Sequence, residues 1–340
     1  MQTNQLMDPV VVNVTRGGRT ESAHRGRVLV ADTGGTIHYR VGDIDAPVFP
    51  RSAIKPLQAT LLVESGAASH YSLGQDALAL ASASHGGEPR HTETVERWLH
   101  AMGMTEADLE CGSHWPMYEP AARELAVQGR VPTQVHNNCS GKHAGLLAVA
   151  RHLDADTSGY IAYGHPVQAR LREMLGAFCD LDMERLDWSL DGCAIPTYDM
   201  PMRSIALGMA LFADPKDLGE ATAEAARQVA EAMSAEPFMV AGTGRYCSRM
   251  MEAAGPRLLV KTGAEGVYCA ALPEHGLGIV LKCDDGATRA AEVMMTSVLR
   301  RLGVIDKAVA EAVSDLVHVE LRNWSGRLVG EVHPCGPLVE

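Results

Sequence analysis

The sequence predicts an α/β (α+β) fold: a mixed, mainly antiparallel sheet built from N- and C-terminal segments, with a large helical insertion between them. Two observations predict it. Short runs rich in β-branched residues and punctuated by glycine cluster at both ends of the chain. The long stretch between them shows apolar residues spaced near 3.6. The whole chain, 1–340, then forms one catalytic unit, with a sheet part at 1–50 and 256–340 and a mainly helical part at 51–255. A cleft is expected where the two parts meet. The competing arrangement is two sequential domains.

Taken in order, 10–16 (VVVNVTR), 27–32 (RVLVAD) and 35–41 (GTIHYRV) read as strands separated by glycine turns. Helical spacing follows in 52–65, 92–103, 141–153, 166–178, 202–212, 218–233 and 243–255. RLLVK (257–261), GVYCAALP (266–273) and LGIVLKC (277–283) then read as three strands. An amphipathic helix at 288–303 and one last strand-like segment at 318–332 complete the chain.

The 340 residues are 46% apolar and 21% charged, ordinary values for a globular protein with a large core. Net charge is −12 without a dense Lys/Arg run, which argues against nucleic acid as a partner. The first ten residues, MQTNQLMDPV, lack a basic stretch followed by an apolar one, and no apolar run approaches the roughly 20 residues that span a membrane. A cytoplasmic location is therefore expected, with no membrane partner and with the eight cysteines reduced.

Two short patterns carry most of the chemistry. Ser52-Ala53-Ile54-Lys55 sets a hydroxyl and an amine one turn apart, so an uncharged lysine can take the serine proton. Pro56 fits the first turn of a helix but biases Lys55 away from helical dihedrals. Lys261-Thr262-Gly263 follows an apolar strand, as in serine acyl-transfer enzymes of the penicillin-recognising kind, where K-T-G supplies a second amine. A lysine ending a buried strand needs a partner or a lowered pKa. Taken singly, each pattern reads as an N-cap serine or a strand-end lysine; together they point to one site. Between them, Ser82-Ala83-Ser84-His85-Gly86-Gly87-Glu88 offers small residues for oxyanion donors and a hydroxyl, Ser84, for proton relay. Arg51 is placed to clamp a carboxylate in bidentate fashion.

A second cluster is His136-Asn137-Asn138-Cys139-Ser140-Gly141-Lys142-His143, with Asp191-Gly192-Cys193 farther on. Two thiols and a histidine can hold zinc, although the spacing is not finger-like and an inert buried thiol is the other reading. Cys179, Cys269 and Cys283 read as core, and Cys111, Cys247 and Cys335 find no place in this scheme.

On PRSAIKPLQA (50–59), SASHGGE (82–88), HNNCSGKHAG (136–145), LDGCAIPTY (190–198) and Lys261-Thr262-Gly263, the chain resembles the rhizobial-type (class 3) L-asparaginases over nearly its whole length. The resemblance implies a fold similar to serine β-lactamases and glutaminases, and hydrolysis of L-asparagine to L-aspartate and ammonia. It implies Ser52 and Lys55 as nucleophile and activating amine, and Ser84 with Lys261 as a second Ser–Lys pair. It implies Cys139, Lys142 and Cys193 as zinc ligands, and Arg51, His143 and Asp191 as substrate-binding residues. Zn2+ is the implied cofactor, expected to be inessential for turnover because a lysine ligand must first lose its proton, and a homodimer the implied assembly. Two rivals stand beside this reading: another serine acyl-transfer enzyme of the penicillin-recognising fold, opposed by the missing S-D-N element, and a non-catalytic zinc- or thiol-binding protein.

Overall fold

A computed structural model describes residues 8–339, so the first seven residues of the segment read for a signal lie outside the described residues. Eight strands form one sheet. They are β1 (Val10–Arg16), β2 (Arg19–Asp32), β3 (Ile37–Val41), β4 (Leu259–Thr262), β5 (Val267–Leu272), β6 (Leu277–Cys283), β7 (Val319–Arg322) and β8 (Leu328–Pro334). Their order is β7-β8-β1-β2-β6-β5-β4, with β3 also paired to β2.

Every pairing in the sheet is antiparallel, in line with the mainly antiparallel sheet expected. The physical reason is short connections: hairpins join β1 to β2, β4 to β5, β5 to β6 and β7 to β8, and none has room for a parallel crossover. The long strand β2 joins the two ends of the chain. Its first half pairs with β1 and its second half with β6 and β3.

Two expectations change. β2 begins eight residues earlier than 27, because the polar stretch 19–26 is extended by pairing with β1 and not by its own apolar pattern. The segment 318–332 is a hairpin and not one strand. Its turn closes where the Asn323 side-chain oxygen accepts from the amides of Ser325 and Arg327.

Between β3 and β4 the chain is mostly helical. The helices used below are α1 (Lys55–Glu64), α2 (Gln75–Ala81), α3 (Pro89–Ala101), α4 (Ser140–His152), α5 (Met202–Ala213) and α6 (Tyr246–Ala254). A later helix, α7 (Thr288–Arg301), returns to the sheet. α5 packs across β6, β2 and β5 on one face, while α7 packs on β6, β8, β5 and β1 on the other. All of 55–62 in α1 is buried, so α1 is the central helix of the insertion. No helix among the described residues is long and apolar enough to cross a membrane.

Candidate active site

The S-x-x-K segment is built differently from the single helix expected. Arg51–Ile54 is a 3-10 turn, and α1 proper starts at Lys55. Lys55 itself has helical dihedrals (φ −56°, ψ −32°), so Pro56 did not displace it; the irregular residue is Ile54 at φ −98°, ψ 11°. In a 3-10 turn residues three apart eclipse, which keeps Ser52 and Lys55 on one face. Arg51 enters the turn at φ +51°, a left-handed conformation rare for a residue other than glycine and often found at strained functional turns. Two contacts hold it there. Arg51 Nε lies 2.5 Å from Asp191 Oδ1, and Gly263 sits so close that a Cβ would come 2.7 Å from the Pro50 carbonyl. The K-T-G glycine is thus the residue that lets β4 approach the serine turn.

Lys261 lies in β4 opposite Cys269, which in turn lies opposite Val280. That row faces the helical part, so the Lys261 amine emerges toward α1 and the 82–88 turn. It donates to Ser84 Oγ at 2.9 Å and to the Thr262 carbonyl at 2.6 Å. Lys55 Nζ, from the other side, donates to Ser84 Oγ at 3.2 Å, to Cys139 Sγ at 3.1 Å and to the Ala83 carbonyl. Its three donors are spoken for, and none goes to Ser52. Both lysines are fully buried and Ser84 is 4% exposed, while Arg51, Ser52 and Asp191 are only partly buried.

Ser84 is held from behind. Its amide donates to Val240 O at 3.0 Å and the His85 amide to Asn138 O at 3.1 Å. His85 accepts from the Gly87 amide on Nδ1, so its Nε2 proton goes to Ser140 Oγ at 2.9 Å, which itself donates to Val135 O. That fixes the 82–88 turn to the first residue of α4. Helix α4 comes in equally close to α2: a Cβ on Gly141 would lie 2.4 Å from Leu80 O. Asn137 Oδ1 accepts from the Cys139 amide at 2.8 Å and orders the turn before the helix.

Burial sets the electrostatics. Desolvation, reinforced by the Lys55 charge, brings Lys261 down to about 7. A buried amine so placed is uncharged over half its population at neutral pH and can accept a proton from a hydroxyl. Burial, followed by the neighbouring Lys142, brings His143 down to about 3, so the ring is neutral. Its Nδ1 takes the Tyr160 hydroxyl at 2.8 Å, and its Nε2 is buried without a partner.

Cys139, Lys142 and Cys193 converge as the second cluster suggested. All three are at most 5% exposed, and Lys142 Nζ lies 2.9 Å from Cys193 Sγ. The hydrogen bond from Cys139 and the charge of Lys142 outweigh burial and hold the Cys193 thiol well below its usual range. The same bond and burial push Cys139 up to about 12. Burial works against the Lys142 charge, but Cys193, Cys139 and Asp191 together raise it. Thiolate against ammonium is the protein's own charge balance here. Two sulfurs and an amine nitrogen meeting in a buried space are also a donor set that suits zinc once the amine gives up its proton.

Other features escaped the sequence reading. Cys247 lies buried in α6, where burial raises its thiol and the Lys261 charge offsets this in part. Cys283, read as plain core, is buried but joins His24 and Asp285 in a group whose ligating atoms lie within 4.8 Å of one another and which could hold a metal ion. Without one, Asp285 satisfies both partners, taking Cys283 Sγ at 3.0 Å and His24 Nδ1 at 2.6 Å. The signal was the register of β2 against β6, which only the folded sheet displays. All eight cysteines are free thiols.

A family profile described as L-asparaginase II matches residues 12–334. Among solved structures, a β-lactamase from Mycobacterium bovis aligns over 77% of this chain and 88% of its own, at 14% identity and a TM-score of 0.40. The native form of a protein called Mglu aligns over 83% of this chain and 66% of its own, at 17% identity and 0.46. Unliganded simvastatin synthase from Aspergillus terreus aligns over 76% and 87%, at 13% identity and 0.37. No curated protein sequence matches the chain.

Proposed function

The chain belongs to the L-asparaginase II family, and from that premise we propose that it hydrolyses L-asparagine to L-aspartate and ammonia by Ser/Lys nucleophilic catalysis beside a zinc site. The observation that carries the reading is the meeting of Lys55 and Lys261 on one buried hydroxyl, Ser84, with the partly exposed Ser52 on the same turn as Lys55.

Ser52 is the accessible hydroxyl and attacks the side-chain amide carbonyl. For this, uncharged Lys261 takes the Ser84 proton, Ser84 takes one from Lys55, and Lys55, so freed, takes the Ser52 proton; Lys261 then gives its proton to the departing ammonia. Water then cleaves the β-aspartyl ester. The short distances at Ser84 favour a second assignment, in which Ser84 attacks and Lys261 is its base. Asp191, Arg51 and His143 line the substrate pocket. Burial opposes the Asp191 charge, but Lys142 and Arg51 hold its carboxyl below the ordinary range, so it stays anionic and suits an α-ammonium group. Arg51, tied to Asp191, orients that carboxylate.

Cys139, Lys142 and Cys193 would hold the zinc, whose bound form supplies a positive charge and polarising power at the pocket wall. The reading includes a homodimer working in the cytoplasm, and the eight free thiols accord with a reducing compartment.

The test is a rapid-quench reaction with L-asparagine followed by peptide mass spectrometry. A β-aspartyl adduct on the peptide 50–59 supports Ser52, and one on 82–88 supports Ser84. Ammonia release without any adduct, undiminished in both Ser52→Ala and Ser84→Ala, would defeat the Ser/Lys mechanism.

A further inference from the structure

We infer that the guanidinium of Arg245 is the anchor for the substrate's α-carboxylate, which makes it the residue that selects amides of α-amino acids over simple amides. This rests on the asparaginase reading above.

A carboxylate entering a water-poor pocket must meet a cation, because its desolvation is otherwise too costly. The cations near Ser84 are already engaged. Lys55 spends its donors on Ala83 O, Ser84 and Cys139, and Lys142 lies against Cys193. Lys261 is turned to Ser84 and the Thr262 carbonyl. Arg51 is matched by Asp191 at 2.5 Å, which offsets its charge.

Arg245 differs from all of these. It is half-buried at the N-cap of α6, and no carboxylate among the described residues comes within ion-pair distance of it. Its side-chain contact is Met117 Sδ, 3.9 Å from Nη1, a weak acceptor for a charged donor. The same sulfur takes Asn138 Nδ2 at 3.4 Å, and Asn138 precedes Cys139, whose Sγ meets Lys55. Met117, an exposed side chain, thus links Arg245 through Asn138 to the cysteine that meets Lys55. Helix α6 packs on β4, which carries Lys261, and the Arg245 charge is among those that depress the Lys261 amine. Two carboxylates around it are already occupied: Glu292, which feels the Arg245 charge, takes the Tyr268 hydroxyl at 3.0 Å, and Glu88 takes the amide and hydroxyl of Thr243. A planar fork of donors facing a displaceable thioether is the arrangement a carboxylate fills bidentately.

The experiment compares wild type, Arg245→Gln and Arg245→Lys on succinamate, which keeps the carboxylate and lacks the amine, and on 3-aminopropanamide, which lacks the carboxylate. The ratio of kcat/KM for the first over the second should fall about 10- to 100-fold in Arg245→Gln, the range of a charge-assisted hydrogen-bond pair. Arg245→Lys should recover part of it, keeping charge without the fork. Calorimetry with L-aspartate, read without turnover, should show binding weakened by a similar factor. An unchanged ratio, or aspartate binding indifferent to both substitutions, overturns the inference. Failure of the asparaginase reading appears differently, as wild-type protein that binds L-aspartate in an Arg245-dependent way and releases no ammonia from asparagine.

Discussion

Lys261 reaches across 177 positions of sequence to place its amine 2.9 Å from the hydroxyl of Ser84. The strand register and the depth of burial bring this about together. Lys261 faces the helical part because Thr262, its neighbour in β4, faces the other way, opposite Tyr268. Full burial next to Lys55 then brings the uncharged amine to a population comparable with the charged one near neutral pH. Structure thereby supplies a base where the sequence alone shows only a lysine.

A base of this kind should be visible in the pH dependence. With Lys261 at about 7, kcat/KM should fall about tenfold per unit below pH 7 and level off above it. Stability should move in the same direction. The folded value lies below the ordinary 10.5, so between about 7 and 10.5 the unfolded chain binds the extra proton and stability rises with pH. Lys261→Met should abolish that slope and raise Tm at pH 7 while suppressing activity. Thermal melts from pH 6 to 10 check it.

Zinc binding should depend on the two thiols and on pH. Against a Cys283→Ser background, which silences the His24–Cys283–Asp285 group, Cys193→Ser should lose the remaining equivalent of zinc with unchanged circular dichroism. Because Lys142 and Cys139 must be deprotonated to bind, affinity should drop at least about tenfold for each unit of acidification. Competition with a chromophoric chelator at pH 6, 7 and 8 measures this.

Gly263→Ala should separate placement from chemistry. The new Cβ would stand 2.7 Å from the Pro50 carbonyl and 3.2 Å from Ala53, so β4 and the serine turn must part. Overpacking of this kind costs about 1–3 kcal/mol of stability. The loss in kcat/KM should exceed what that destabilisation accounts for, since every catalytic side chain remains but the turn 51–54 shifts. Steady-state kinetics at a temperature well below the measured Tm decide it.

Much of the fold was legible in the chain because local pattern and final structure agree there. β1 spans the same residues as the apolar run VVVNVTR, and α5 and α7 follow their 3.6-residue spacing to within a residue or two. The extension of β2 through Arg19–Gly26 was not legible, since its polar residues are ordered by a neighbouring strand. Helix α2, short and set between glycine and serine, gave too few turns for a period to register. At the site, Lys261, Ser84, Cys139, Lys142 and Cys193 could be named from motifs, and they do converge. What motifs could not reveal was the wiring. Ser52 and Lys55, adjacent in the pattern, share a face but no hydrogen bond, because Ser84 and Cys139 take the amine first. Arg245 escaped notice for a related reason: the role proposed for it rests on having no acidic partner among the described residues, which only packing displays.

Ammonia release from L-asparagine, measured side by side for wild type and a folded Lys261→Met variant at pH 8, tests the account most directly. Turnover by wild type with a loss of at least about 100-fold in the variant is the predicted result, the lower end of what a positioned general base contributes. A variant with native circular dichroism that releases ammonia as fast as wild type would contradict it.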